Sequence, residues 1–115
     1  MNSRYSLKKN SDFKRIYSKG KSCVTPFMVV YCRKNRENEN RIGFTVSAKM
    51  GHAVVRNRIR RRLREIYRLN KTSFSKGWDI IIVARSRSIN GDFRKMEDAF
   101  LEACRSLSLL REEEA

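Results

Sequence analysis

The spacing of apolar residues near the start of the chain predicts a short helix. Three of them fall on one stripe at helical spacing: Phe13, Ile16 and Tyr17. We expect the helix to cover residues 12–19, with Ser11 as its N-terminal cap and Gly20 at its end. Residues 1–10 are basic and polar, which predicts a loosely held arm.

Three segments further along have the composition of β-strands. Residues 27–32 are apolar on both faces and follow a short extended piece at residues 23–24. Residues 41–47 alternate between apolar and polar, which is typical of a half-buried strand. Residues 78–84 form a β-branched run that suits a central strand buried on both faces.

The apolar spacing also predicts two longer helices. The first covers residues 53–69, and the second is an amphipathic helix that begins near residue 93 and carries its apolar stripe to Leu110. Asn90 or Asp92 is a plausible cap for the second helix. The element order α-β-β-β-α-β-α predicts an α+β fold, arranged as a small two-layer sandwich.

The length of 115 residues favours a single domain over residues 1–115. A chain of this size buries enough apolar surface for a core without disulfides or metals. Residues 111–115 are mostly acidic and are expected to form a solvated tail.

The helix over residues 53–69 has two chemically opposite faces. The apolar face carries Val55, Ile59, Leu63, Ile66 and Tyr67. The polar face carries Asn57, Arg60, Arg61, Arg64 and Arg68. Arg56 and Arg62 flank the apolar face, where long side chains lie along it and still reach solvent.

This basic face favours binding to a polyanion over simple solvation. An ordinary solvated face mixes charges of both signs, whereas Glu65 is the one acidic residue of this segment. All seven of its cations are arginine, and the planar guanidinium group suits phosphate oxygens and base edges better than lysine does.

The charge of the whole chain leads to the same class of partner. The chain has 27 Lys and Arg against 12 Asp and Glu, a net charge of +15. Nucleic acid is the first candidate, because each neutralised phosphate releases counterions, and an anionic membrane surface is the second. The helix over residues 53–69, which we call the arginine helix, offers no spare aromatic residue to enter a bilayer, and this disfavours the membrane as a partner.

The cysteine and histidine content predicts no metal site. Cys23, Cys32 and Cys104 lack CxxC spacing and share the chain with one histidine, His52. We expect reduced thiols in an intracellular protein. No signal peptide opens the chain, and no apolar run approaches the ~18 residues of a membrane span.

One long motif resembles a known family. The segment RIGFTVSAKMGHAVVRNRIRRRLRE, residues 41–65, is similar to the signature of the bacterial ribonuclease P protein subunit. SDFKRIYSKG resembles the first helix of that family and DIIIVAR its last strand, so the resemblance covers nearly the whole chain. His52 departs from the pattern, since a small polar residue such as Asn is frequent there, and the acidic tail is a second departure.

The resemblance implies a fold and an activity. The implied fold is a four-stranded sheet with three helices and a left-handed crossover through the arginine helix, against the general right-handed rule. Members of the family assemble with a catalytic RNA, which removes the 5′ leader of precursor tRNA with Mg²⁺ held mainly by the RNA. The implied location is the cytoplasm, without membrane or DNA as partners.

The resemblance also implies two RNA-binding surfaces. The residues implied to face the catalytic RNA are Arg56, Asn57, Arg58, Arg60, Arg61, Arg62 and Arg64. The aromatic residues implied to contact the leader are Phe13, Tyr17 and Tyr31. Arg41 and Lys49 lie beside the outward face of the strand at residues 41–47, and we expect them to contact leader phosphates.

Several alternatives remain open at this point. A structural RNA-binding protein of ribosomal type would share the charge and size, with Phe13 and Tyr17 as ordinary core residues. A DNA-binding regulator is disfavoured because strands, rather than a helix-turn-helix pair, precede the basic helix. An independent nuclease is disfavoured because the four aspartates are scattered and form no two-metal carboxylate cluster.

Overall fold

The computed structural model describes residues 6–111 and leaves residues 1–5 and 112–115 outside the description. Its helices and strands are α1 (Asn10–Lys19), β1 (Lys21–Val24), β2 (Met28–Lys34), β3 (Arg41–Thr45), α2 (Ala53–Asn70), β4 (Trp78–Ala84) and α3 (Phe93–Ser106). This order confirms the predicted α+β fold with three helices and four strands. Most of the predicted acidic tail lies outside the described residues.

The four strands form one mixed sheet in the order β1-β2-β4-β3. β1, β2 and β4 pair antiparallel, whereas β3 and β4 are parallel neighbours joined through α2. The register sets Tyr31, Ile81 and Gly43 side by side across β2, β4 and β3. The left-handed path of the connection through α2 stays a prediction.

The two faces of the sheet bury different helices. Alternate residues such as Val30, Ile42 and Ile82 face α2 and α3 and share with them one large apolar core. On the other face, Ile81 packs with Leu7 and with Ile16 of α1 in a smaller cluster. We call these surfaces the α2/α3 face and the α1 face. The α2/α3 layer and the sheet make the predicted sandwich, and α1 covers part of the opposite face.

The start of α1 differs from the prediction. The helix begins at Asn10, and Lys9 occupies the cap position without a side-chain hydrogen bond, so Ser11 is not the cap. Its end at Gly20 is as predicted: the Gly20 N–H donates to the Ile16 carbonyl at 2.8 Å. A Cβ on Gly20 would come within 2.5 Å of the Cys32 carbonyl oxygen, so this close approach requires glycine.

The prediction of a loose arm over residues 1–10 is wrong for residues 6–10, the part of this segment that the structure describes. Ser6 bridges Ile42 at the edge of β3, and the Leu7 N–H donates to the Ile42 carbonyl at 3.0 Å. Leu7 is buried against Ile16. Burial of Leu7 fixes this segment on the sheet. The sequence did not predict it, because one apolar residue in a basic segment forms no periodic pattern.

Two strands have shifted or shortened ends. β2 extends to Lys34, because it pairs with β4 along the whole length of both strands. β3 ends at Thr45 rather than Ser47, since Ser47 instead caps the short 3₁₀ helix Ala48–Met50. The Ser47 hydroxyl accepts from the Lys49 N–H at 3.2 Å.

The last helix ends before the apolar pattern does. Asp92 caps its start, since its carboxylate accepts from the Lys95 N–H at 3.0 Å, as one of the two predicted alternatives. At the other end, Ser108 has a φ of 60° and the Leu109 N–H donates to the Cys104 carbonyl at 2.9 Å. This hydrogen-bond pattern is a Schellman end. The prediction of helix to Leu110 is therefore wrong, because Leu110 bridges back to Phe74.

Candidate nucleic-acid interface

The arginine helix α2 has the predicted dry and wet faces. Ile59, Leu63, Ile66 and Tyr67 are buried in the large core, and Val55 packs at its border. Asn57, Arg61 and Arg64 are exposed on the other side, and Arg60 is half-buried. The core packing of the dry face therefore holds a row of cations toward solvent.

Two of the arginines predicted to contact RNA are bound within the protein. The Arg58 guanidinium donates to the Ile89 carbonyl at 3.0 Å, and that of Arg62 donates to the Gly91 carbonyl at 2.6 Å. Arg62 also lies 5.9 Å from the centroid of the Phe93 ring. These bonds attach α2 to the loop that precedes α3, so both residues have a structural role beside any contact with RNA.

The other arginines of the wet face lie in different environments. Arg60 donates to the Asn57 side-chain oxygen at 3.0 Å, which fixes both side chains on the surface. Arg64 lies 5.8 Å from the centroid of the Phe44 ring, and Arg61 is exposed. The Nε of Arg56 is buried and has no hydrogen-bond partner among the residues that the structure describes. We define the exposed face of α2 as the exposed Asn57, Arg61 and Arg64 together with the half-buried Arg60, which is bonded to Asn57.

Near the C-terminal end of α2, an acidic side chain pairs with one cation. The Arg68 Nε donates to a Glu65 carboxylate oxygen at 2.9 Å. The hydrogen bond from Arg68 lowers the pKa of Glu65. Arg68 is therefore paired with an acidic side chain at the surface. Its position on the polar face of the helix did not predict this pairing.

Three aromatic residues predicted to contact a leader form one continuous cluster on the α1 face. The rings of Tyr17 and Tyr31 meet edge to face with centroids 4.8 Å apart, and those of Phe13 and Tyr17 are 6.3 Å apart. Tyr17 is 40% exposed, and its hydroxyl shares a hydrogen bond with the Thr45 hydroxyl at 3.2 Å. α1 therefore carries part of its aromatic stripe to solvent instead of burying all of it.

Glycine on the central part of β3 admits one ring of this cluster. A Cβ on Gly43 would lie 2.8 Å from Cζ of Phe13, closer than real Cβ contacts. Phe13 is therefore half-buried. Its exposure is intermediate between that of a core residue and that of a residue open to a ligand. Thr45 completes this surface, although the sequence analysis did not name it as a site residue. Its outward position in the alternation of β3 was the feature of the sequence that could have indicated it.

The two cations predicted to contact leader phosphates lie in different environments. Arg41 binds the Asp79 carboxylate with two hydrogen bonds, of 2.9 and 2.7 Å, and lies 3.7 Å from a carboxylate oxygen of Asp12. The hydrogen bond with Asp79 raises the pKa of Arg41. Arg41 thus ties α1, β3 and β4 together. Lys49 is exposed, four positions beyond Thr45 in the chain.

The described residues do not provide a metal site of their own. No group of three or more His, Cys, Asp or Glu side chains converges among residues 6–111. Cys23, Cys32 and Cys104 are unpaired thiols, and burial raises the pKa of Cys32 to about 11. His52 stands at the start of α2 without a side-chain capping bond. In the same part of the chain, no helix is long and apolar enough to cross a membrane.

Comparisons with known proteins give one consistent result. The chain matches the family Ribonuclease P over residues 1–108. It is 40% identical over 104 residues to the ribonuclease P protein component of Alkaliphilus oremlandii, covering 90% of this chain and 91% of the relative. It is 39% identical over 110 residues to the same component of Alkaliphilus metalliredigens, covering 96% and 99%.

Solved structures agree with the sequence relatives. The RNase P protein of Staphylococcus aureus has a TM-score of 0.84 at 33% identity, covering 93% of this chain and 98% of that one. The RNase P protein of Thermotoga maritima has a TM-score of 0.78 at 34% identity, with 95% and 98% covered. The fold is that of a small α+β protein, and the relatives that share it are protein components of a ribonuclease.

The chain belongs to the ribonuclease P protein family. It is a protein component of an endoribonuclease that processes tRNA, and its partner is an RNA. The ribosomal and DNA-binding alternatives give way to this result. Which residues contact RNA stays a prediction.

Proposed function

We propose that the protein binds two RNAs on opposite sides of its sheet. The exposed face of α2 binds the catalytic RNA of ribonuclease P, and the aromatic cluster on the α1 face binds the 5′ leader of precursor tRNA. The observation that carries this proposal is the partly exposed cluster of Phe13, Tyr17 and Tyr31, because it lies on the face away from α2. Both surfaces can therefore be occupied at once.

The leader surface suits a single strand of variable sequence. Bases stack on aromatic rings for ~1–3 kcal/mol each with little sequence preference. Tyr17 offers the most exposed ring of the cluster, and the neighbouring Tyr31 supports its orientation. Lys49 is the exposed cation of the predicted leader set, whereas the guanidinium of Arg41 already binds Asp79.

The catalytic-RNA surface relies on arginines of α2 that the fold leaves accessible. Arg61 and Arg64 are exposed, and Arg60 is held beside them by Asn57. Repulsion among these like charges weakens the isolated helix, and RNA phosphates would relieve it. Arg58 and Arg62 hold the helix to the loop before α3, and so they orient this surface.

We assign the chemistry of leader removal to the RNA. Hydrolysis through metal ions needs clustered carboxylates in a protein, and no such cluster occurs among residues 6–111, where the neighbouring carboxylates of Asp12 and Asp79 lie against Arg41. The residues therefore do not fit a protein-held Mg²⁺ site, and we propose that the RNA holds the ions, in the cytoplasm. Protein incubated with Mg²⁺ and precursor tRNA, but without the catalytic RNA, should release no leader.

Tyr17 provides the sharpest test of the leader surface. In the reconstituted holoenzyme, Tyr17→Ala should weaken binding of precursor tRNA by ~1–3 kcal/mol, from one stacked base, and leave mature tRNA binding unchanged. Tyr17→Phe retains the ring and should retain most of the affinity, although it loses the hydroxyl bond to Thr45.

A matched control separates stacking from loss of apolar surface in general. Leu69 is 51% exposed on α2, outside both proposed surfaces, and Leu69→Ala should affect neither tRNA. Equal losses for precursor and mature tRNA in Tyr17→Ala, or a collapsed thermal melt of that variant, would refute the leader assignment.

A further inference from the structure

A groove separate from the leader surface lies at the C-terminal end of α2. Its volume is about 960 Å³; the buried side chains of Ile42, Tyr67 and Phe74 close its floor, and its exposed apolar surface comes mainly from the aliphatic stems of the lining arginines and lysines. The three floor residues belong to the core on the α2/α3 face. The aromatic cluster on the α1 face does not line the groove.

The walls of this groove are fixed by hydrogen bonds. The Asn40 side chain donates to the Ser75 carbonyl at 2.8 Å and accepts from the Trp78 N–H at 2.8 Å. The Arg111 guanidinium donates to the Thr72 carbonyl, which holds the chain after α3 against the opposite wall. The groove is therefore preformed, as most ligand sites are.

The rim of the groove is strongly positive. Its cations are Arg64, Arg68, Lys71, Lys76 and Arg111, against the single carboxylate of Glu39 among the described lining residues. Glu65 offsets part of the charge of Arg68, but Glu65 does not line the groove. An occupant must therefore combine an apolar body with negative charge.

We propose that this groove binds an unpaired nucleotide of the catalytic RNA. A base can pack against the aliphatic stems of the lining arginines and lysines, its phosphate fits their charged ends, and the volume lies in the ~300–1000 Å³ range of small-ligand sites. Arg64 belongs both to the rim and to the exposed face of α2, so an RNA strand on that face continues to the mouth of the groove. The inference rests on the proposed binding of RNA by α2.

The floor of the groove has little means to read the edge of a base. The polar side-chain atoms of Asn40 are engaged with the Ser75 carbonyl and the Trp78 N–H. The base is held by apolar contact, which every base provides, and the phosphate by charge. We therefore expect affinity for unpaired RNA with little sequence preference.

The test fills the groove without changing charge. Thr72 is exposed and lines the groove, and its neighbour Ser73 is exposed and does not. Thr72→Trp should occlude the groove, and Ser73→Trp is the matched control. The probe is an oligouridine with one 4-thiouridine, photo-crosslinked to the full chain, with the labelled peptides located by mass spectrometry.

The expected result is labelling of residues 67–76, which lie outside the exposed face of α2, in the unmodified protein and in Ser73→Trp. In Thr72→Trp this labelling should fall about tenfold, the loss of one base contact. Lys76→Glu should also reduce it, whereas Lys95→Glu, an equal charge change on α3, should not. This second pair keeps the test decisive if Thr72→Trp does not fold.

Three results would overturn the inference. They are equal groove labelling in the two tryptophan variants, labelling confined to the α1 face or to the exposed face of α2, and stable occupation of the groove by oligoglutamate that oligouridine cannot displace. The proposed function has a separate readout, the affinity for the catalytic RNA of a variant in which Arg60 and Arg61, which do not line the groove, are both replaced by Ala. If that affinity falls while the groove is not labelled, the proposed function stands and the proposed nucleotide site in the groove is rejected.

Discussion

The ring of Phe13 lies directly against the backbone of Gly43. A Cβ added to Gly43 would come within 2.8 Å of Cζ and 3.1 Å of Cε1 of that ring, and within 3.3 Å of the Leu7 Cβ. Helix α1 can therefore approach β3 only where the strand has no side chain. This contact sets the depth at which the aromatic cluster sits on the sheet.

Replacing Gly43 by Ala should displace Phe13 and tilt the cluster. Overpacking of this kind costs about 1–3 kcal/mol of folding stability. We expect precursor tRNA affinity of the holoenzyme to fall while mature tRNA affinity stays constant, because the proposed leader contacts lie on α1. Paired binding titrations with the two tRNAs, and a denaturant melt of the free variant, measure the two effects.

Ser22→Ala is a suitable control for the Gly43 variant. Ser22 is exposed on β1 in the same cross-strand row, beside Tyr31, and its truncation should leave both quantities unchanged. Full precursor affinity in a folded Gly43→Ala protein would show that the position of Phe13 is irrelevant to the leader.

Replacing Arg60, Arg61 and Arg64 together by Ala should weaken binding to the catalytic RNA without unfolding the protein. The three side chains lie on the wet face, and the contact of Arg64 with Phe44 contributes only ~0.5–1 kcal/mol. The dependence of log K on log salt should flatten by up to ~3 units, one for each lost phosphate contact. Filter-binding titrations over a range of salt concentrations give the slope.

The control removes the same charge elsewhere. Lys34, Lys95 and Arg105 are exposed and lie outside α2, so their triple Ala variant should keep the original slope. An identical slope change in both triple variants would mean that net charge, rather than the exposed face of α2, governs binding.

Arg41→Ala should destabilise the fold more than it weakens leader binding. Asp79 is buried, with 7% of the residue exposed, and the substitution leaves its carboxylate with the Asn35 amide as a remaining partner at 2.9 Å. Losing a partner of a buried polar group costs about 1–3 kcal/mol. Urea unfolding measures this loss, and Arg41→Lys should recover only part of the stability because it cannot form the paired hydrogen bonds.

The structure thus predicts a structural role for a residue that the sequence grouped with the leader contacts. Tested at a temperature where Arg41→Ala is folded, the holoenzyme should bind precursor tRNA as well as before. A selective loss of precursor affinity under those conditions would restore Arg41 to the leader surface.

Thiol ionisation should make the fold less stable at high pH. Burial raises the pKa of Cys32 from 9.0 to about 11. Between these values the unfolded chain releases the Cys32 proton and the folded chain retains it, so stability that is complete below pH 9 is lost as the pH approaches about 11. Urea midpoints from pH 8 upward should therefore fall more steeply for the unmodified protein than for Cys32→Ala. Parallel curves would contradict the prediction.

The local features of this fold could be predicted from sequence because they depend on neighbours in the chain. The dry face of α2 follows from the helical repeat of Ile59, Leu63 and Ile66, and the alternation of β3 put Ile42 inside. The aromatic cluster needed the family resemblance, since a stripe containing Phe13 and Tyr17 is equally typical of a core.

The features that the sequence did not predict depend on distant partners. Arg41 meets Asp79 only because β3 and β4 pair in parallel in a particular register. Arg58 and Arg62 find carbonyl acceptors in a loop about thirty positions away in the chain. The end of α3 was missed because Ser108, rather than glycine, adopts the left-handed conformation there.

The two layers on the sheet differ in how firmly they are attached. α2 and α3 share one large apolar core with the sheet, whereas α1 is anchored through Ile16 to a small cluster with Leu7 and Ile81. Local opening is easier where fewer apolar contacts are lost, so α1 should exchange its amide protons sooner than β4 does. The helix with the proposed leader contacts is then the part of the fold that opens most readily. A bound leader would therefore slow the amide exchange of α1 more than that of the other helices.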